Sequence, residues 1–339
     1  MTQNQAWRTR TFWLALSTLI GTMLAAFFLS ACKSGYVGKV EKINFGAVPG
    51  SATLVYIAQE QHFFDANGLS VNVKDKYASG MATTDALLKG DVDIVWAAEF
   101  AMVVRAFEKR PISIITIFGR FTTQFLFARK DRGVATISDL KGRKIGVLRN
   151  TISEFYLVRF LALNGVNPQD VTLVDLPAAQ SLEQITSGSI DCVVAWEPDA
   201  GPIRRQLGDR VVAWSIQNNQ PGYGVIVARN DWLRASPEIT NRFLKPLAQA
   251  EDYLVRNPEA AKTIVQKRMG LDDAPMQVFW SGIQSSLSLD QSLIAAMEDE
   301  GRWMIKNNLT SEKTIPDFVN YIYVDGLKAI KPEGVSIIH

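Results

Sequence analysis

Gly90-Asp-Val-Asp-Ile-Val-Trp-Ala-Ala-Glu99 and Gly188-Ser-Ile-Asp-Cys-Val-Val-Ala-Trp-Glu197 are one pattern written twice. They align without a gap: Gly90 with Gly188, Asp93 with Asp191, Val95 with Val193, Ala97 with Ala195, Glu99 with Glu197. Each opens on a Gly turn and an Asp, then runs through a short apolar segment that reads as a buried parallel strand. Each ends on a Trp and a carboxylate. Ligands of open α/β sheets sit at the carboxyl ends of strands, so both ends are expected to border a binding site.

The match extends in both directions. Ile43–Val48 parallels Lys144–Leu148 as a strand running into a loop, and the strand after Gly68 parallels the one after Gly165. Helical stretches Met81–Lys89 and Ala179–Ser187 precede the two Gly-x-x-Asp strands, and Phe125–Asp131 parallels Val225–Asp231. Four pairs in one order, about one hundred residues apart, predict two similar α/β lobes with a cleft between them. The boundaries read as 39–126 with 224–339 for the first lobe and 127–223 for the second, with Asn218–Gly224 as the return crossing. From Ser236 onward the pattern reads as helical, with starts at Ser236-Pro-Glu, Asn257-Pro-Glu and Ser288-Leu-Asp-Gln and a last helix opened by Pro316. Trp280 and Trp303 read as helix–helix core, and Glu298-Asp-Glu300 as a solvated face.

The 339 residues suit about two domains. The formal charge of +2 rests on Arg8 and Arg10, so the chain beyond residue 31 is about neutral and offers no basic face for nucleic acid. Arg8 and Arg10 precede an uncharged run from Phe12 to Ala31, the pattern of a secretory signal over residues 1–31. The run is also long enough to act as an uncleaved anchor. Leu29-Ser-Ala-Cys32 ends it in the manner of a bacterial lipobox, so Cys32 is the expected acylation site and 32–38 a linker. The other cysteine, Cys192, lies in the second apolar strand as a buried small hydrophobe without a disulfide partner.

Candidate ligand-binding residues follow from the strand ends. Pro49 and Ser51 lie in the first βα loop, with Ser51 or Thr53 able to cap the helix that follows. Ser79 and Gly80 present amides at the second. Asn150 and Thr151, beside Arg149, mirror the first loop in the second half. Helix starts of this kind are ready anion sites, and equally ordinary capped loops. Trp96, Glu99, Trp196 and Glu197 end the repeated strands. Trp96 lies three residues after Asp93 and Trp196 five after Asp191, so alternation puts both on one kind of face, cleft or core. Gln124 and Tyr223 sit at the two crossings. The amide-rich loops suit a small anion, the Trp and Tyr rings a flat or aliphatic body, and Glu99 and Glu197 an amine.

The chain holds two histidines, His62 and His339, neither in a nucleophile arrangement. There is no P-loop, no dinucleotide fingerprint and no His-Glu-x-x-His or Cys-x-x-Cys, and Asp272-Asp273 lacks metal-ligand spacing. The reading is a binding protein, with no enzyme activity, no cofactor and no metal.

Phe63-Phe-Asp-Ala-Asn-Gly-Leu69, Asp85-Ala-Leu-Leu-Lys-Gly-Asp-Val-Asp93, Leu140-Lys-Gly-Arg-Lys-Ile-Gly146, Asp170–Pro177 and Ala195-Trp-Glu-Pro198 together resemble the solute-binding proteins of ABC importers for nitrate, taurine and aliphatic sulfonates, and their thiamine-pyrimidine-type relatives. The resemblance spans about residues 43–235. It implies a type II periplasmic-binding-protein fold with two chain crossings, a solute in the cleft, and docking on membrane permease subunits. Together with the leader it implies a monomer in the periplasm or on the outer cell surface, anchored to the bilayer through acylated Cys32. Two other roles share these features: a lipoprotein sensor signalling to a membrane receptor, and a pyrimidine-synthase-type enzyme, whose own His and Cys-rich motif are missing here.

Overall fold

The computed structural model describes residues 36–218 and 220–338. The expected leader, Cys32 and His339 lie outside the described residues. Among the described residues the compact unit begins at Val40, and its architecture is two mixed sheets with helices packed on them.

The first sheet joins β1 (Glu41–Gly46), β2 (Leu69–Lys74), β3 (Ile94–Ala98), β4 (Ile112–Phe121), β10 (Gly222–Arg229) and β11 (Ile283–Ser288) in the order β2-β1-β3-β10-β4-β11. The second joins β5 (Phe125–Arg129), β6 (Lys144–Val147), β7 (Thr172–Asp175), β8 (Cys192–Ala195) and β9 (Val211–Ser215) in the order β7-β6-β8-β5-β9. In both, the first strand pairs in parallel with the second and third, and the third then pairs antiparallel with a strand that enters from the other lobe. The repeat seen in the sequence is therefore a repeat of topology.

Its invariant residues do the same work twice. Asp93 accepts the Asn44 N–H at 2.8 Å while its own N–H donates to the Asn44 carbonyl. Asp191 accepts the Lys144 N–H at 3.0 Å and donates to the Lys144 carbonyl. Each Asp thus pins the third strand to the first at its start. Gly90 and Gly188 end the preceding helices at φ 80° and 79°, a left-handed turn that a residue with a Cβ resists.

The chain crosses between lobes at 122–124 and returns at 216–221. The crossings fall slightly earlier than the boundaries at 126 and 223, because β5 belongs wholly to the second sheet and Gly222 and Tyr223 already pair in the first. Gln217 ties the two crossings: its Oε1 accepts the Gln124 N–H at 3.0 Å and its Nε2 donates to the Phe121 carbonyl at 2.8 Å.

Several local expectations need correction. The region after Ser236 is not helical throughout. Helices Pro237–Arg256, Pro258–Met269 and Asp273–Ser281 lead into β11, which completes the edge of the first sheet against β4 before helix Gln291–Lys306. Pro316 opens no long helix; a 3₁₀ turn at Phe318–Tyr321 and a short helix at Asp325–Ile330 follow. Glu298-Asp-Glu300 is not a solvated face: Glu300 is buried, and Asp299 pairs with Arg159 of the second lobe at 2.9 Å. Trp303 packs across the same junction, its ring 5.8 Å from Phe100 and 5.4 Å from Phe155 of the second lobe. This aromatic contact holds the lobes together away from the cleft.

Candidate functional site

Four loops of the repeat converge on one cavity between the lobes. Val48 to Ser51 and Thr53 come from the end of β1, and Ser79 to Met81 from the end of β2. Leu148 and Thr151 to Ser153 come from the end of β6, and Trp196 and Glu197 from the end of β8. Trp96 of β3, the end of β4 (Phe118 to Phe121), Thr123 and Gln124 of the crossing, and Phe279 with Ile283 to Ser285 complete the wall. The cavity volume is ≈ 120 Å³.

The loops are built alike. Ser51 Oγ donates to the Val48 carbonyl at 2.8 Å, and Thr151 Oγ1 donates to the Leu148 carbonyl at 2.7 Å. Thr151 also accepts the Ser153 N–H as the N-cap of helix Ile152–Leu163, and Ser79 accepts the Ala82 N–H as the N-cap of helix Gly80–Lys89. Neither Ser51 nor Thr53 caps helix Thr53–Glu60; its first turn follows Ala52 and has no side-chain cap. Three helix starts from two lobes thus open on one space, and each places partial positive charge there.

Nine of the twelve expected residues line this cavity: Pro49, Ser51, Ser79, Gly80, Trp96, Gln124, Thr151, Trp196 and Glu197. Gln124 is fixed there by Ser153, whose Oγ donates to Gln124 Oε1 at 2.8 Å. The other three do not line it. Glu99 is fully buried behind β3, where its Oε1 accepts the Tyr223 N–H at 2.9 Å. Tyr223 stands on the far face of β10, its hydroxyl 2.9 Å from Ser292 and the Arg120 guanidinium 5.2 Å over its ring. Asn150 is exposed in a left-handed turn at φ 56°, its N–H donating to Glu154. Arg149 turns away to pair with Glu154 at 2.7 Å.

Charge in the cavity is internally balanced. Glu197 is its one carboxylate among the lining residues, and it accepts the Gly201 N–H at 2.9 Å and pairs with Arg204. Burial pushes its pKa up, while Arg204 pulls the other way. An amine would have to compete with that guanidinium. Arg120 is the one cationic residue among the lining residues, but its guanidinium turns to the far face, over Tyr223 and onto Asp290 at 2.7 Å. The remaining lining side chains are hydroxyls, amides, rings and aliphatic groups such as Val48, Met81, Leu148 and Ile152, a set that binds and orients and holds no nucleophile–base pair. Cys192 is buried in β8, where desolvation pushes its thiol up to about 12. Among the described residues no cluster of His, Cys, Asp or Glu could hold a metal ion.

Sequence reasoning missed Arg120, Phe121, Phe279 and Ile283 to Ser285. Nothing local marked the last: Ile283-Gln-Ser-Ser-Leu-Ser288 is mostly polar, and its strand forms by pairing with β4.

Residues 50–261, more than half of the chain, match the family model described as NMT1/THI5 like. The taurine-binding periplasmic protein of Escherichia coli K12 is 25% identical over 243 residues, covering 70% of this chain and 73% of that protein. The alkanesulfonate-binding protein SsuA of Xanthomonas axonopodis pv. citri, solved with MOPS bound, aligns with a TM-score of 0.72 at 15% identity, covering 85% of this chain and 100% of its own. The desulfurization enzyme DSZB aligns with a TM-score of 0.62 at 16% identity over 86% of this chain and 99% of its own. At these identities the solved structures establish the shared two-lobed fold, which carries both binding proteins and an enzyme.

Proposed function

Because the chain belongs to the NMT1/THI5-like family, we propose that it is an extracytoplasmic solute-binding protein of an ABC import system. In this reading the interlobe cavity captures a small organic solute with an anionic or strongly hydrogen-bonding head. The observation that carries it is the convergence of matched βα loops from both lobes on one cavity whose charged groups are already paired. Hydroxyls and helix-start amides at Ser51, Ser79 and Thr151 would hold the head. Hinge motion at the crossings around Gln124 and Gln217 would close the lobes on it, and the closed form would dock on permease subunits.

The leader supports lipid anchoring: Leu29-Ser-Ala-Cys32 would be cleaved before Cys32 and acylated there, with more than one acyl chain needed for firm attachment. The protein would work as a monomer at the membrane surface, without a cofactor.

A thermal-shift screen of the mature protein against sulfonates, carboxylates, nitrate, pyrimidines and amines tests this reading. A saturable rise in Tm with one class, reproduced by calorimetry, is the expected outcome. Turnover of that compound by the purified protein would overturn the binding role in favour of catalysis.

A further inference from the structure

Trp96 on β3 and Phe121 on β4 flank β10, the strand between them. β10 carries glycine at 222 and 224 on the face that looks toward these rings. A Cβ placed on Gly224 would meet the Trp96 indole Nε1 at 2.5 Å, and one on Gly222 would meet the Phe121 ring at 2.5 Å. Both contacts are closer than real Cβ atoms come, so each ring occupies the space a side chain would need. The two rings therefore lie down over β10 from opposite sides. Their centroids are 6.4 Å apart at 46°. Trp96 pairs in register with Ile226, so its ring leans two residues along the strand to cover Gly224. Tyr223, between the glycines, points to the other face with its register partner Arg120. Both platform rings are half-buried, and both line the interlobe cavity.

An indole and a phenyl that only filled a core would be covered. These two are supported from beneath by backbone and left open to the cavity. We propose that this platform receives a flat aromatic ring of the solute, so that the ligand is an aryl compound with a small anionic head. The head would sit at the helix starts near Ser51, Ser79 and Thr151, with the ring stacked on Trp96 and meeting Phe121, whose plane is inclined 46° to the indole, with its edge. Phe118, Phe279 and Ile283 supply further apolar wall. Gly222 and Gly224 are positioning residues that set the height of the rings. The proposal rests on the solute-binding reading and narrows its ligand.

Calorimetry on the mature protein with two matched pairs of probes tests it: benzenesulfonate against propane-1-sulfonate, and benzoate against butyrate. Each pair shares a head and differs in the body. The aryl member should bind about tenfold tighter. Trp96→Leu should erase that ratio by weakening the aryl member of each pair more than the alkyl member, and Gly224→Ala, which lifts the indole, should shrink it. Circular dichroism of both variants reports whether the fold is kept, and Trp96→Leu adds no bulk beneath the ring. Equal aryl and alkyl affinities in the parent would overturn the platform while leaving solute binding intact. A ratio unchanged in Trp96→Leu would also overturn it. If none of the four probes binds, the aryl-anion class is wrong, and the broader thermal-shift screen decides separately whether the chain binds solutes at all.

Discussion

Glu99 offers the sharpest test of the structure, through pH. It starts helix Glu99–Phe107 directly after β3 and has no exposed surface. One carboxylate oxygen accepts the Tyr223 N–H, and the other, Oε2, has no partner. Glu300, on helix Gln291–Lys306, is likewise buried with an unpartnered Oε2. Burial pushes the Glu99 pKa up from 4.5 to about 8, with the amides of Tyr223, Glu99 and Phe100 pulling weakly downward. Burial, and then the charges of Glu99 and Asp299, hold Glu300 well above the usual carboxylate range. The folded protein therefore keeps protons here that the unfolded chain releases. Below about pH 4.5 both states are protonated and the site is neutral to stability. Between 4.5 and 8 the unfolded state binds fewer protons, so stability falls as pH rises. Above 8 the loss is complete for Glu99. A shift of about 3.5 units at 1.36 kcal/mol each gives a loss on the order of 5 kcal/mol from this residue.

Glu99→Gln keeps an acceptor for the Tyr223 N–H and removes the ionisation. Urea denaturation of parent and variant at half-unit steps from pH 5 to 9 measures the effect. The parent should lose stability steadily toward pH 8, and the variant should lose clearly less, ending as the more stable protein there. A parent curve that is flat or rising over pH 5–8, or a variant curve parallel to it, refutes the buried-acid reasoning.

Three further outcomes follow from other parts of the molecule. Arg204→Met strips the cation from buried Glu197 while Arg204 itself is 30% exposed, so a loss of about 1–3 kcal/mol is expected in thermal or urea unfolding, and Glu197→Gln in the same background should recover part of it. Ser79→Ala and Thr151→Ala each remove an N-cap and should cost about 1 kcal/mol of stability apiece; additive losses in the double variant are expected, since the two caps lie in different lobes. Cys32→Ser should leave the precursor unprocessed, and intact mass spectrometry of membrane-extracted parent protein showing residues 1–31 retained without lipid would end the anchoring proposal.

The two matched α/β units were legible because hydrophobic runs, Gly stops and turn spacing recur in one order, and such patterns are set by local backbone demands. β11 was not. Its residues Gln284, Ser285 and Ser286 look like a loop, and what makes them a strand is pairing with β4, more than 160 residues earlier. No local propensity encodes that partner. Site residues divide in the same way. Ser79 and Thr151 were found because strand ends in this topology must face the cleft. Glu99 and Tyr223 were misplaced because which face of a strand or helix meets the cavity depends on twist and packing. Glu300 looked solvated because its neighbours in sequence are acidic, while the helix turns it inward with Met297 and Met304.

The repeat also separates scaffold from selector. Residues matched between the halves perform matched backbone tasks: Asp93 and Asp191 pin strands, and Ser51 and Thr151 close the same loop onto Val48 and Leu148. A ligand smaller than the cleft meets the two lobes with different atoms, so the groups that select it need not match. The aromatic residues of the cavity break the repeat in this way. Trp96 aligns with Val194 and Trp196 with Ala98, yet both indoles line the cavity. Phe121 ends β4 beside glycines that the matching strand β5 lacks, its residues being Phe125 to Arg129 without a glycine. Recognition is therefore expected to follow the asymmetric residues. Substituting Trp96 or Phe121 should change which solute binds, whereas substituting Asp93 or Asp191 should change only how well each lobe folds.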